Sequence, residues 1–340
     1  MKIGKISESV LKRSVLRQLK TKNENVKCGA GVGDDCAIFA LSDAEKLATC
    51  VQEGVICIPQ KEAMQESIFP AESVMITRLI HRCVNNLAVS GAEPLAVMIA
   101  LLLPETIEEP QIKAMMVEAE KACNSLSLEI AGGQTRVSSA VNAPVAVITG
   151  YGKIEGEDYR TAKSAKAGQD IVISKWIGLE GTAMLAKKNK EQLLSRYPAY
   201  LVEEAAAFDR YFSILPEAAT AMKSGVCAMH DASEGGIFAA LWELAEGAGV
   251  GLTIDLKKLP LRQETVEVCE CCNINPYELK SGGCLVMTCE DGKGLVAALE
   301  AEGIPAVVVG RLTDSNDRII RNEDEIRYMD RPRTDEIYKL

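Results

Sequence analysis

The sequence contains no uninterrupted apolar run near the roughly 18 residues that a membrane span requires. Its N-terminus shows no apolar signal-peptide core either, so a cytoplasmic location is the default expectation. Positive charge is in short supply: 38 Lys and Arg face 48 Asp and Glu, a net charge of −10. That argues against sequence-independent nucleic-acid binding, which needs a basic face. No G-x-x-x-x-G-K-S/T string occurs, which excludes a standard P-loop, and no dinucleotide fingerprint follows the first strand. Histidine is reduced to His81 and His230, both remote in sequence from the one cysteine cluster, Cys269, Cys271 and Cys272. The C-x-C-C spacing of that cluster is not a common zinc pattern. The twelve scattered cysteines therefore read as reduced thiols with structural roles.

What is present suits a two-domain α/β or α+β protein, because 340 residues exceed one comfortable core. Apolar spacing predicts an amphipathic helix over 4–20, a strand over 46–51, a helix over 75–90, a buried strand over 95–103 and a helix opened by Pro110. A short strand at 128–131 leads into Gly132-Gly133-Gln134-Thr135-Arg136, and 143–150 reads as another buried strand. Periodicity fades from Glu155 to Gln169, which sets an N-terminal domain at 1–155, a linker at 156–169, a second domain at 170–325 and a tail at 326–340. The second half alternates again: strands at 170–174, 226–229, 251–254, 284–289 and 306–309, with helices between them.

Three segments stand out as able to meet a phosphate. Gly31-Val32-Gly33-Asp34-Asp35 sets adjacent carboxylates on a glycine-punctuated turn. Adjacent carboxylates repel, and a magnesium ion that shares them with phosphates and water would neutralise them; the same string also reads as an ordinary acidic turn. Gly132 to Arg136 offers paired glycines, a hydroxyl and a guanidinium able to fork onto phosphate oxygens, or a plain turn. His230-Asp231-Ala232-Ser233-Glu234-Gly235-Gly236 enters a helix, where free N–H groups and the dipole favour an anion, though Asp231 or Ser233 also serves as a simple cap.

The order of these segments resembles the superfamily of aminoimidazole ribonucleotide synthetase, selenophosphate synthetase, thiamine-monophosphate kinase and the hydrogenase maturation factor HypE, over nearly the whole chain. Gly4-Lys5-Ile6 and the Gly-Asp-Asp turn are similar to the HypE branch, as is Asn85-Asn86-Leu87-Ala88-Val89-Ser90-Gly91-Ala92-Glu93-Pro94. Gly132 to Val137 resembles a Gly-Asp-Thr-Lys-Val element, and His230 to Gly236 an Arg-Asp-x-Thr-Arg-Gly-Gly element. Asn275-Pro276 and Ser281-Gly282-Gly283-Cys284-Leu285 complete the pattern. The resemblance implies two α/β domains, N-terminal domains paired in a homodimer, and magnesium-ATP at that junction. It also implies ATP-dependent activation of an amide-type oxygen of a small-molecule or protein substrate by phosphorylation.

On that resemblance Asp34, Asp35 and Asp231 would hold Mg2+. Gly31, Gly33, Asn86, Gly132, Gly133, Gln134, Thr135, Arg136, Ser233, Gly235 and Gly236 would meet ATP. Three usual carboxylates are missing, since Thr49 to Gln52 carries none and the others are Asn86 and Gln134. Amides offer a carbonyl oxygen without charge, so weak nucleotide binding is expected. The readings left open are an enzyme of this type and a catalytically degenerate binding dimer. HypE dehydrates a carbamoylated C-terminal cysteine to a thiocyanate, yet residues 290–340 contain no cysteine. No thiocyanate adduct is expected here; intact-mass analysis after incubation with carbamoyl-donor machinery and ATP checks this, and such an adduct on any cysteine would refute it.

Overall fold

The computed structural model of the protein describes residues 5–57 and 75–339; Gly4 and Leu340, which belong to the expected first helix and tail, lie outside them. The first half begins with α1 (Glu8–Val10), followed by a π turn (Leu11–Val15) and a 3-10 turn (Leu16–Gln18). Among the described residues its sheet has six strands: β1 (Val26–Cys28), β2 (Ala37–Ala40), β3 (Glu45–Val55), β4 (Glu93–Leu103), β5 (Glu129–Val137) and β6 (Val145–Glu155). They lie in the order β1-β2-β3-β6-β4-β5. Helix α2 (Ile76–Val89) precedes β4, and α3 (Glu109–Ser125) carries the chain from β4 to β5. Those two strands are parallel, and a parallel pair needs such a crossover. Leu79, Ile80, Cys83 and Leu87 of α2 bury against Ile38, Ala48, Cys50 and Ile148 of the sheet.

The second half contains α4 (Leu179–Lys188), α5 (Lys190–Leu194), α6 (Ala199–Ala206), α7 (Leu215–Lys223), α8 (Gly236–Ala248), α9 (Gln263–Cys272) and α10 (Gly292–Ala301). Its sheet is built from β7 (Asp170–Ser174), β8 (Val226–Asp231), β9 (Gly251–Asp255), β10 (Leu285–Cys289), β11 (Ala306–Thr313), β12 (Arg318–Asn322) and β13 (Glu325–Tyr328). Its order is β13-β12-β9-β11-β7-β10-β8, antiparallel except for β9 and β12. Helix α2 ties the two halves together. Its C-terminal Ala88 and Val89 join the core of Val172, Met229 and Leu285. Its polar side is held by Arg78 to Asp209 at 2.9 Å, and by Asn85 to the Phe212 carbonyl at 2.8 Å and the Ile214 N–H at 3.2 Å.

Three expectations change in the structure. The stretch 4–20 is not one amphipathic helix, because α1 and the turns after it bury no residue fully. Its charges bind instead: Trp242 Nε1 donates to Glu8 Oε2 at 2.8 Å, and Lys12 pairs with Glu8 and Glu246. Strand β4 is not buried throughout. Leu95 and Met98 are 46% and 40% exposed: Met98 alternates away from the buried Val97 and Ile99, and Leu95 sits where the pairing register shifts between Pro94 and Ala96. Third, Gly132 to Arg136 is no loop: it pairs with Met98 to Leu102 and forms most of β5, an exposed edge strand.

Candidate functional site

The Gly-Asp-Asp turn connects β1 to β2 and packs against α8 of the second half. Gly33 has φ of +81°, and a Cβ there would lie 2.4 Å from the Glu243 carbonyl oxygen, so only glycine allows this approach. The contact closes one side of a cleft of about 490 Å³. Gly31, Gly33, Asp34 and Asp35 line it with Lys5, His230, Glu234, Gly235, Glu243 and Arg333.

At its floor Asp35 Oδ2 lies 2.7 Å from His230 Nδ1, and Glu243 Oε2 lies 3.2 Å from His230 Nε2. Lys5 Nζ donates to Glu243 at 2.7 Å, and the Lys5 backbone N–H donates to Glu234 at 2.8 Å. Asp231, buried next to His230, places a carboxylate oxygen within 4.8 Å of the Asp35 and His230 ligand atoms. Those three residues form the one group of metal-ligating type found among the described residues.

The charges are strongly coupled. Burial opposes the charged imidazolium of His230, but Asp35 and Glu243 outweigh it and raise its pKa well above the ordinary value. Burial, and then the Asp35 charge, push the Asp231 carboxyl up to about 7, although His230, Lys5 and Arg82 pull the other way. Glu243 is also penalised by burial, yet its hydrogen bond from His230 and the Lys5 charge bring it down to about 2. Burial raises Asp34, against the Ala162 N–H that donates to its Oδ1 at 3.0 Å. Asp34 thus fastens the turn to the segment between the two sheets, while Asp35 faces His230.

The structure brings the first and third segments together and leaves the second apart. Gly132, Gly133, Gln134, Thr135 and Arg136 sit on β5, at the opposite edge of the sheet from β1, and do not line the cleft of this chain. Parallel pairing with β4 draws them into the ladder. Asn86 is buried on α2 under the turn, where its backbone carbonyl accepts from the Cys36 thiol at 3.0 Å.

The amides at the start of α8 are already engaged. Gly235 N–H donates to Asp335 Oδ2 at 2.6 Å and Gly236 N–H to the Ser233 carbonyl at 3.2 Å, which also accepts from the Ser281 N–H at 3.1 Å. The C-terminal segment docks here, with Glu336 accepting from Asn275 N–H at 3.1 Å and Ile337 buried. Sequence reasoning missed His230, Glu243, Lys5 and Glu234. Two signals were available: His230 and Glu234 stand where the related element has arginine, and Glu243 interrupts an apolar helix between Trp242 and Leu244.

Residues 33–154 match the family of the AIR synthase related protein N-terminal domain, and residues 166–321 the corresponding C-terminal domain. A hydrogenase expression/formation protein of Methanocaldococcus jannaschii is 24% identical over 323 residues, spanning 93% of this chain and 90% of the relative. The carbamoyl dehydratase HypE of Rhodobacter capsulatus is 30% identical over 234 residues, 67% of this chain and 66% of that protein. Among solved structures, a HypE–HypF complex superposes with a TM-score of 0.72 at 21% identity, covering 95% of this chain and 99% of the other. HypE in complex with ATP gives 0.66 at 17% identity, covering 99% and 97%. The two-sheet mixed α/β fold is therefore shared with HypE, and the chain belongs to the AIR synthase related family.

Proposed function

We propose that the protein binds ATP together with a divalent cation in the cleft between the Gly-Asp-Asp turn and α8. The observation that carries this reading is the meeting of Asp35, which lines the cleft, with the buried Asp231 beside it, brought together although Asp35 and His230 are 195 residues apart in sequence. A half-buried and a buried carboxylate this close repel unless a proton or a cation sits between them. Magnesium takes one or two carboxylates and fills its shell with water and phosphate oxygens, so Asp35 and Asp231 fit it as oxygen donors. Lys5 and Arg333 at the cleft supply cations for phosphate oxygens, and the backbone of Gly31 and Gly33 allows close approach. The ATP-bound HypE of the same fold supports the choice of nucleotide.

A homodimer completes this reading. The exposed β5 edge carries Gln134, Thr135 and Arg136, and Leu95, Met98, Val51 and Val147 of the same sheet are exposed as well. Two-fold pairing of the first halves would cover that apolar face and let a second copy contribute Arg136 to the nucleotide. The bound cation would neutralise phosphate charge, while Asp35 and Asp231 fix its position. The reaction would be phosphorylation of an amide-type oxygen on a small-molecule or protein substrate.

A second reading, ligand binding without turnover, is favoured by one contact. Asp335 already occupies the Gly235 N–H, where a phosphate would otherwise bind. Calorimetric titration of the full chain with ATP tests both readings. Binding is expected only with a divalent cation present; equal binding in EDTA, or none with any cation, refutes the proposal. Phosphate released to water from ATP during the same titration would exclude the binder.

A further inference from the structure

We infer that Asp35, His230 and Asp231 form a mixed nitrogen–oxygen site that takes a divalent ion of the manganese-to-zinc series in preference to magnesium, with Glu243 orienting the histidine. This rests on the cleft holding a cation and sharpens which one. Magnesium favours an all-oxygen octahedron and sheds water reluctantly, whereas an imidazole nitrogen suits zinc, iron, nickel and their neighbours. One nitrogen and two carboxylate oxygens lie within 4.8 Å of one another, and small side-chain shifts bring them into the span of at most about 4.4 Å that metal–ligand bonds of about 2.0–2.2 Å set.

The surroundings of His230 are those of a ligand histidine. Such a residue commonly donates its second ring N–H to a carboxylate, which fixes the tautomer and the ring plane. Glu243 is placed to accept from Nε2, 3.2 Å away, and is itself held by Lys5 at 2.7 Å. Nδ1 is then the ring atom turned to Asp35, and its lone pair is the one an ion shared with Asp35 and Asp231 would take. Without an ion, a proton on Nδ1 bridges to Asp35 Oδ2 at 2.7 Å. Metal entry expels that proton to solvent and joins both atoms to the cation. No redox change or co-reactant is involved. The competing account is a plain ion-pair clamp between the turn and β8.

The test uses the full-length protein with metal ions alone and no nucleotide. Co2+ should bind at one equivalent with visible ligand-field absorption, and Mg2+ in roughly 100-fold excess should fail to displace it. His230→Gln should lose Co2+ affinity by at least about 100-fold, and Glu243→Gln by about 10–100-fold, the range for an orienting partner. Unchanged Co2+ affinity in a folded His230→Gln protein, or displacement by equimolar Mg2+, would overturn the inference. If that variant does not fold, imidazole NMR on the parent decides. With two histidines in the chain, Zn2+ should shift one ring's Nδ1 strongly, and no shift would refute the site. ATP binding that survives with Mg2+ while Co2+ fails would remove this inference and leave the nucleotide reading standing. Co2+ binding without any ATP binding would do the reverse.

Discussion

Replacing Asp35 and Asp231 together by asparagine is expected to weaken cation-dependent ATP binding by on the order of 100-fold or more. Losing even an outer-shell partner of a metal site costs about 10–100-fold, and this change strips the charge from both proposed ligands, leaving only neutral amide oxygens. Asp34→Asn should cost less than about 10-fold, because the Asp34 carboxylate accepts the Ala162 N–H and stands outside the Asp35–His230–Asp231 group. The sequence alone groups Asp34 with Asp35 as one metal pair; the structure separates them, with Asp34 fastening the turn and Asp35 facing His230. Calorimetry on both variants beside the parent measures the difference. Should the double variant bind ATP and cation as the parent does, the cation lies elsewhere. Should Asp34→Asn prove the more damaging, the division of roles is wrong.

Much of the fold was legible because helices and strands that bury one stripe print that stripe in the sequence. Leu79, Ile80, Cys83 and Leu87 announced α2, and β7 appears at Asp170–Ser174 as its apolar run implied. Expectation failed where burial is not the organising force. The segment around α1 keeps its apolar residues part-exposed and is held by Lys12 and Glu8, so its helical spacing misled. Strands β1, β2, β12 and β13 are short and lie towards the sheet edges, and the polar, exposed β13 carries no buried stripe to read. Paired glycines at 132 and 133 suggest a turn, while the partner that makes them a strand, β4, lies a whole crossover helix earlier.

The candidate site was half legible for the same reason. Turn chemistry is local, so Gly31 to Asp35 could be read directly. The pairing of Asp35 with His230 spans 195 residues and exists only after the two halves pack, so nothing local marks it. The amide of Gly235 looked available to a phosphate because the segment that engages it, at Asp335, is 100 residues away.

That packing of halves should depend heavily on one buried carboxylate. Glu180 on α4 is 2% exposed and pairs with Arg82 of α2, with the buried Lys280 close enough to act on it. Burial penalises its charge, but Arg82, Lys280 and Arg78 outweigh the penalty and hold its pKa below the ordinary value. Even Gly282 answers to it: a Cβ at that position would lie 2.5 Å from Glu180 Oε2, a reason for glycine in the Ser281-Gly282-Gly283 motif. Glu180→Gln leaves the half-buried Arg82 and the buried Lys280 without this counter-charge, and breaking a buried pair from one side costs about 3–5 kcal/mol. Because the folded pKa lies below the unfolded one, this stability is present above about pH 4.3 and is lost as pH falls through the folded value. The destabilisation measured by urea unfolding should therefore be large at pH 7 and shrink in acid. Arg82→Met combined with Glu180→Leu should recover part of it, since an apolar pair pays no desolvation. A Glu180→Gln protein within about 1 kcal/mol of the parent at pH 7 would place this ion pair among the weak ones. The two halves would then rest on the apolar contacts of Ala88 and Val89 together with the Arg78 and Asn85 bonds of α2.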